Sequence, residues 1–213
     1  MDRKEILNSI LEKKAVAVLR VKEADKLRRI IEALAEGGVT VTEITMTVPN
    51  AIQLIEQMSK VLDKRIILGV GSVLTVQVAE DAINAGAKYV VSPIFKKEII
   101  ETAHQFEVPA MPGCFTPTEI QAAWEAGADI IKVFPADILG MAFFKAVLAP
   151  MPHLKMMPTG GVNLTNAGDW LKSGACAVGI GTALLDKEAI RNENYSKLTE
   201  NARLIVNSIY EAS

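Results

Sequence analysis

Two charged side chains stand where strands ought to be apolar: Glu43 within VTVTEITM and Lys132 within DIIKVFP. Side chains alternate along an extended segment, so Val41, Glu43, Thr45 and Thr47 share one face and Ile44 and Met46 the other. In the second segment Ile130, Lys132 and Phe134 share a face, with Ile131 and Val133 opposite. If the apolar face of each strand meets helices, both charges turn into the interior. Burial pushes a lysine pKa down and a glutamate pKa up. A neutral amine in a partly dry pocket attacks ketones, forming a carbinolamine and then an imine that withdraws electrons from the neighbouring carbon. A nearby carboxyl can move the protons. The pair therefore points to Schiff-base chemistry. An inward ion pair that only fixes strand register, or a lysine snorkelling from a strand end, accounts for the same two residues.

A second constellation lies near the C-terminus. PTGGVN carries Gly160 and Gly161, and GIGTAL carries Gly179, Gly181 and Thr182; each run ends a strand pattern and precedes a helical one. Bare backbone amides beside a helix N-terminus hold phosphate through hydrogen bonds and the helix dipole, and Thr182 adds a hydroxyl. Paired glycines also serve as plain tight turns. Arg20 ends an apolar run, where it suits a substrate carboxylate as a planar fork and equally suits an exposed strand end. His104 and His153 are far apart and read as surface histidines, with no spacing that resembles metal ligation, which counts against metal-assisted chemistry. Met111, Met151, Met156 and Met157 read as core filler, and Cys114 as an inert packing residue or a pocket-lining one.

The elements that must position these groups repeat. A helical segment ends at glycine and an apolar strand follows at once in AEGGVTVTEIT (Gly38), INAGAKYVVSP (Gly86), WEAGADIIKVFP (Gly127) and LKSGACAVGIG (Gly174); glycine there suits a left-handed helix end. Further apolar runs near 15–20, 65–71, 108–113 and 155–161 bring the strands to eight. Between them Leu27, Ile30, Ile31 and Leu34, then Ile52, Ile55 and Met58, keep helical spacing. Eight strands alternating with helices call for a parallel sheet covered by helices. The fold class expected is α/β, a single (β/α)8 barrel over residues 1–213, because the three-glycine fingerprint of an open doubly wound sheet is missing. Reactive groups should then lie at the carboxyl ends of the strands. With 23 basic against 25 acidic residues and aromatics at 5%, nucleic acid is an unsuitable partner. Two cysteines are too few for a disulfide framework. The N-terminal run has no uninterrupted apolar stretch, so neither secretory signal nor membrane span is expected, and the location expected is cytoplasmic.

The residues just described resemble those of the bacterial KDPG/KHG aldolases over nearly the whole chain. The likeness is carried by GGVTVTEIT around Glu43, GVGSVLT around Ser72, YVVSP ending at Pro93, MPG followed by TP, IKVFPA around Lys132, and PTGGVN. It implies a class I lyase built as a (β/α)8 barrel and usually homotrimeric, working without cofactor. It also implies Lys132 as the imine-forming lysine, Glu43 as the acid/base, and Gly160, Gly161, Gly181 and Thr182 as the phosphate clamp, with Thr159, Phe134, Pro93 and Ser72 lining the pocket. The implied partners are a phosphorylated 2-keto-3-deoxy sugar acid, pyruvate and glyceraldehyde 3-phosphate. One position departs: many members carry arginine four residues after the glutamate, where this chain has Thr47. Arg20 thereby becomes the better-motivated carboxylate ligand, with Thr47 beside it. The resemblance leaves open a related pyruvate aldolase acting on 4-hydroxy-2-oxoglutarate or on the galactonate epimer; a barrel that only binds a phosphorylated sugar is the more distant reading.

Overall fold

The structure is a computed structural model that describes residues 1–21 and 24–212. In chain order its helices are α1 (Arg3–Lys13), α2 (Leu27–Glu36), α3 (Ala51–Val61), α4 (Val76–Asn84), α5 (Lys97–Gln105), α6 (Pro117–Glu125), α7 (Ala136–Leu148), α8 (Ala167–Lys172), α9 (Lys187–Arg191) and α10 (Tyr195–Tyr210). Its strands are β1 (Ala15–Leu19), β2 (Val41–Thr45), β3 (Ile67–Gly71), β4 (Val90–Val91), β5 (Ala110–Met111), β6 (Gly113–Cys114), β7 (Ile131–Val133), β8 (Met156–Pro158) and β9 (Val178–Ile180).

Helix ends follow local chemistry. Asp2 and Glu5 form a capping box at α1, as Thr116 and Glu119 do at α6, where Pro117 pre-sets the first turn. The four repeat glycines, Gly38, Gly86, Gly127 and Gly174, all have positive φ. After each, the next N–H reaches back five residues: Val39 to Leu34, Ala87 to Ala82, Ala128 to Ala123 and Ala175 to Trp170, at 2.9–3.1 Å. That bond closes a helix in a Schellman turn and turns the chain directly into a strand.

Every strand pair is parallel. Six strands run in the order β5-β4-β3-β2-β1-β9 and three in the order β6-β7-β8. The eight expected strands appear as nine segments because Pro112, which has no N–H to give a ladder, divides one of them into β5 and β6. The two sheets touch at that strand and at a parallel bridge between Thr159 and Gly179.

Alternation sorts the strand residues into two cores. Ile44, Val70, Ile131, Val133, Met156 and Val178 pack outward with the helices, together with Leu27, Ile30, Ile31 and Leu34 of α2. Val16, Val41, Ile67, Tyr89, Val91, Met111, Ile130, Met157 and Ala177 pack inward, where Ile6 and Ile10 of α1 join them. Helix α1 thus stops the interior at the amino ends of the strands. Three of the four methionines are buried core and Met151 packs against it. Cys114 is buried and packs with the helices, and burial pushes its thiol up to about 12.

His104 is not the free surface residue its surroundings in sequence suggest. Its Nε2 lies 3.1 Å from Oδ2 of Asp129, which also accepts from the Ala110 N–H at 2.9 Å, while Arg3 of α1 pairs with Oδ1 at 2.8 Å. His153 is exposed, with its ring 5.6 Å from that of Trp124.

Candidate active site

Glu43 occupies the middle of β2 and Lys132 the middle of β7, and both are buried, 1% and 2% exposed. The strands on either side make room for them. Glu43 is in register with Val18 on β1 and Gly69 on β3; a β-carbon on Gly71, one inward step along, would overlap the Glu43 carboxyl. Lys132 lies between Gly113 and Met157 in the ladder. Its Nζ stands 5.1 Å from the centroid of the Phe134 ring, a cation–π distance for the charged form.

The electrostatics follow from burial. Loss of water pushes the Glu43 carboxyl above its usual range, against the pull of the Lys132 and Arg20 charges. It pushes the Lys132 amine below its usual range, against Glu43 and with help from Arg20. Among the described residues neither oxygen of Glu43 has a hydrogen-bond partner. A buried carboxyl with no donor costs stability, which a structural ion pair would have recovered. Such a pair of groups is able to exchange protons with something else that enters the interior.

Arg20, just past β1, is exposed, yet its charge is felt by both buried groups. Thr47 is exposed past β2, its hydroxyl 2.7 Å from that of Thr45, which in turn donates to the Leu19 carbonyl at 3.2 Å. Ser72 follows β3 in a left-handed conformation (φ 61), and Pro93 follows β4 with its backbone against Gly113. Thr159 follows β8, 5% exposed, with an unpartnered hydroxyl lying over Gly179. Every sequence-derived site residue therefore lies within a strand or in the segment past its carboxyl end.

The glycine turns hold their expected place but not their expected neighbours. Helices do not follow them at once: α8 begins at Ala167 and α9 at Lys187, each a short helix after an intervening turn. Gly160 (φ 99) and Gly161 (φ 73) need their positive φ, and a β-carbon on either would crowd Asp137 at the start of α7. The carbonyl of Gly161 accepts from the Asn166 side chain at 2.9 Å. The helix N-terminus next to this turn is that of α7, whose Ala136 N–H donates to the Thr159 carbonyl at 3.0 Å. A cavity of about 560 Å³ opens past β1 and β9, lined by Arg20, Gly181, Thr182, Lys187 and Arg191 with apolar neighbours. Among the described residues no acidic side chain lines it.

Sequence reasoning missed Tyr89, Gly69, Gly71 and Asp137. The GVG of β3 was visible, but which side chains fill the space above those glycines is a contact between distant segments. Among the described residues no three His, Cys, Asp or Glu side chains converge as metal ligands, and no helix is long and apolar enough to cross a membrane.

The likeness to known proteins extends over most of the chain. The family model described as "Aldolase: KDPG and KHG aldolase" matches residues 6–201, and the chain belongs to that family. Its members are aldolases, hence carbon–carbon lyases. The chain is 34% identical over 184 residues to the 2-dehydro-3-deoxy-phosphogluconate aldolase of Pseudomonas aeruginosa, covering 85% of this chain and 82% of the relative. It is likewise 34% identical over 175 residues to the probable 2-dehydro-3-deoxy-6-phosphogalactonate aldolase of Rhizobium meliloti, covering 82% of each. Among solved structures, the KDPG aldolase of Legionella pneumophila, with pyruvate captured at low pH as a covalent carbinolamine, superposes with a TM-score of 0.86 at 29% identity, over 94% of this chain and 97% of that one.

Proposed function

We propose that the protein is a class I, metal-independent aldolase that reversibly cleaves 2-dehydro-3-deoxy-6-phospho-D-gluconate to pyruvate and D-glyceraldehyde 3-phosphate. The observation that carries the reading is the buried, inward pair Lys132 and Glu43, whose carboxyl has no protein partner. In this reading the two sheets are arcs of one closed (β/α)8 barrel, joined through Pro112 and the Thr159–Gly179 bridge. The active species is a cytoplasmic homotrimer, checked by light scattering on the purified protein.

The neutral Lys132 amine attacks C2 of the keto acid, and Glu43 passes the protons that turn the carbinolamine into a protonated imine and water. The ionised Glu43, or a water ordered by it, takes the C4 hydroxyl proton. The C3–C4 bond breaks, its electrons move into the imine as an enamine, and the aldehyde leaves. Protonation of the enamine at C3 and hydrolysis return pyruvate and the free lysine. Arg20, with Thr47, holds the C1 carboxylate; Ser72, Pro93, Phe134 and Thr159 line the pocket. Gly160, Gly161, Gly181 and Thr182 hold the phosphate, so remote binding aligns the reacting carbons.

A second reading, the galactonate epimer as substrate, is favoured by the Rhizobium meliloti relative at the same identity. Reduction with borohydride in the presence of pyruvate, followed by mass spectrometry, tests the mechanism. A pyruvyl adduct on the peptide carrying Lys132 is expected; no adduct, or one on another lysine, overturns it. Turnover of the two epimers and of 4-hydroxy-2-oxoglutarate then sets the substrate.

A further inference from the structure

The interior holds a polar group that the proposed chemistry does not use. Tyr89 precedes β4 and points inward, fully buried, and among the described residues its hydroxyl has no partner. The tip of its ring rests on Gly69, where any β-carbon would overlap it, and Gly69 is the ladder partner of Glu43. The Glu43 carboxyl rests on Gly71, two residues further along the same face of β3. Two adjacent inward glycines thus cradle a phenol and a carboxyl, both buried and both unsatisfied. Buried polar groups are nearly always paired, with protein or with an ordered water. One inward step along a strand is about 6.6 Å, close to the roughly 5.6 Å spanned by two hydrogen bonds through a single water.

Resting on the aldolase reading, we infer that Tyr89 is a positioning residue for Glu43: its hydroxyl donates, through one buried water, to the Glu43 carboxyl and favours its ionised form. Phenylalanine would fill the same space above Gly69, so the hydroxyl is separable from the packing. Among the described residues the groups that act on Glu43 are Lys132 from β7, Arg20 past β1 and Tyr89 before β4; α1 presents apolar side chains to this interior, Ile6 and Ile10 with Leu7 and Leu11 packed beside them. A donor to the carboxylate opposes the desolvation that favours the acid. Without it, less Glu43 is ionised at acid pH, and the step that takes the C4 proton slows there.

The test is Tyr89→Phe with the full-length protein. Its kcat near pH 6 is expected to fall about fivefold, the worth of one net hydrogen bond, while kcat on the alkaline plateau stays within about twofold and Tm does not rise. A kcat–pH profile that superposes on the parent's overturns the inference. So does a clear rise in Tm, which would mean that the hydroxyl was a bare buried polar group. A high-resolution crystal structure with no water between Tyr89 Oη and Glu43 does the same without reference to turnover. Borohydride trapping of pyruvate on the parent separates the two levels. If Lys132 is labelled and the profiles superpose, only the role of Tyr89 falls; if Lys132 is not labelled, the aldolase reading falls and takes this role with it.

Discussion

Asp129, just ahead of β7, and Glu43, in the middle of β2, are both buried carboxylates, 6% and 1% exposed. Asp129 sits at the amino ends of the strands and accepts from Arg3, from the Ala110 N–H and at His104, so every oxygen has a partner. Glu43 looks toward the carboxyl ends, and among the described residues neither of its oxygens has one. The satisfied carboxylate joins α1, α5 and the start of β7, and its environment is complete without any other molecule. The unsatisfied one stands near an amine whose charged form is disfavoured by the same dryness. A buried acid with all its hydrogen bonds made to protein is part of the scaffold, whereas one with no protein partner suits the proton transfers proposed for it.

The strongest way to break this contrast is at Lys132. Lys132→Arg keeps a cation but removes the nucleophile, so turnover should fall by about 10⁴-fold or more with the fold intact; substantial residual turnover would reduce Lys132 to an electrostatic anchor. Glu43→Gln should lower kcat by about 10²- to 10³-fold and at the same time raise Tm. The sign of its pH dependence follows from burial. The fold favours the neutral acid, so the Glu43 penalty is absent below its ordinary pKa of 4.5 and grows as pH rises through the raised value. The Tm advantage of the glutamine variant should therefore widen between mildly acid and mildly alkaline pH, and a constant gap would contradict the bare-carboxyl description. At the other end, Asp129→Ala leaves Arg3 without its buried partner and should cost about 3 kcal/mol in urea unfolding, with kcat and KM per folded molecule unchanged. The smallest effect is expected at Thr182→Ala: KM for the phosphorylated substrate up about fivefold, kcat nearly constant, and KM for 4-hydroxy-2-oxoglutarate unmoved.

The bare end of the molecule was far more legible than the satisfied end. Glu43 and Lys132 break a two-residue alternation, a signal contained in a few consecutive positions, and the glycines at 38, 86, 127 and 174 carry the helix-to-strand joints in single residues. Asp129 precedes an apolar run as any loop aspartate does; its partners lie at positions 3, 104 and 110, which only the folded chain brings together. Helix α1 likewise reads as an ordinary amphipathic segment, and its place beneath the strands depends on where Ile6 and Ile10 find apolar company. Pro112 was visible, but that it splits a strand between two ladders depends on the register of Gly113 with Lys132. Tyr89 could not be tied to Glu43 before the space over Gly69 and Gly71 was known.

Helix α1 also gives the interior a blind end. With Ile6 and Ile10 filling the amino side, the proposed mechanism requires substrate to reach Lys132 from the carboxyl ends of the strands, with the fragment bonded to the lysine lying deeper than its partner. In that mechanism the aldehyde fragment leaves first and the pyruvyl fragment last. Run in the synthetic direction, pyruvate must enter before its partner, and an aldehyde that arrives early blocks the way. Excess aldehyde should therefore inhibit synthesis in a manner that added pyruvate relieves.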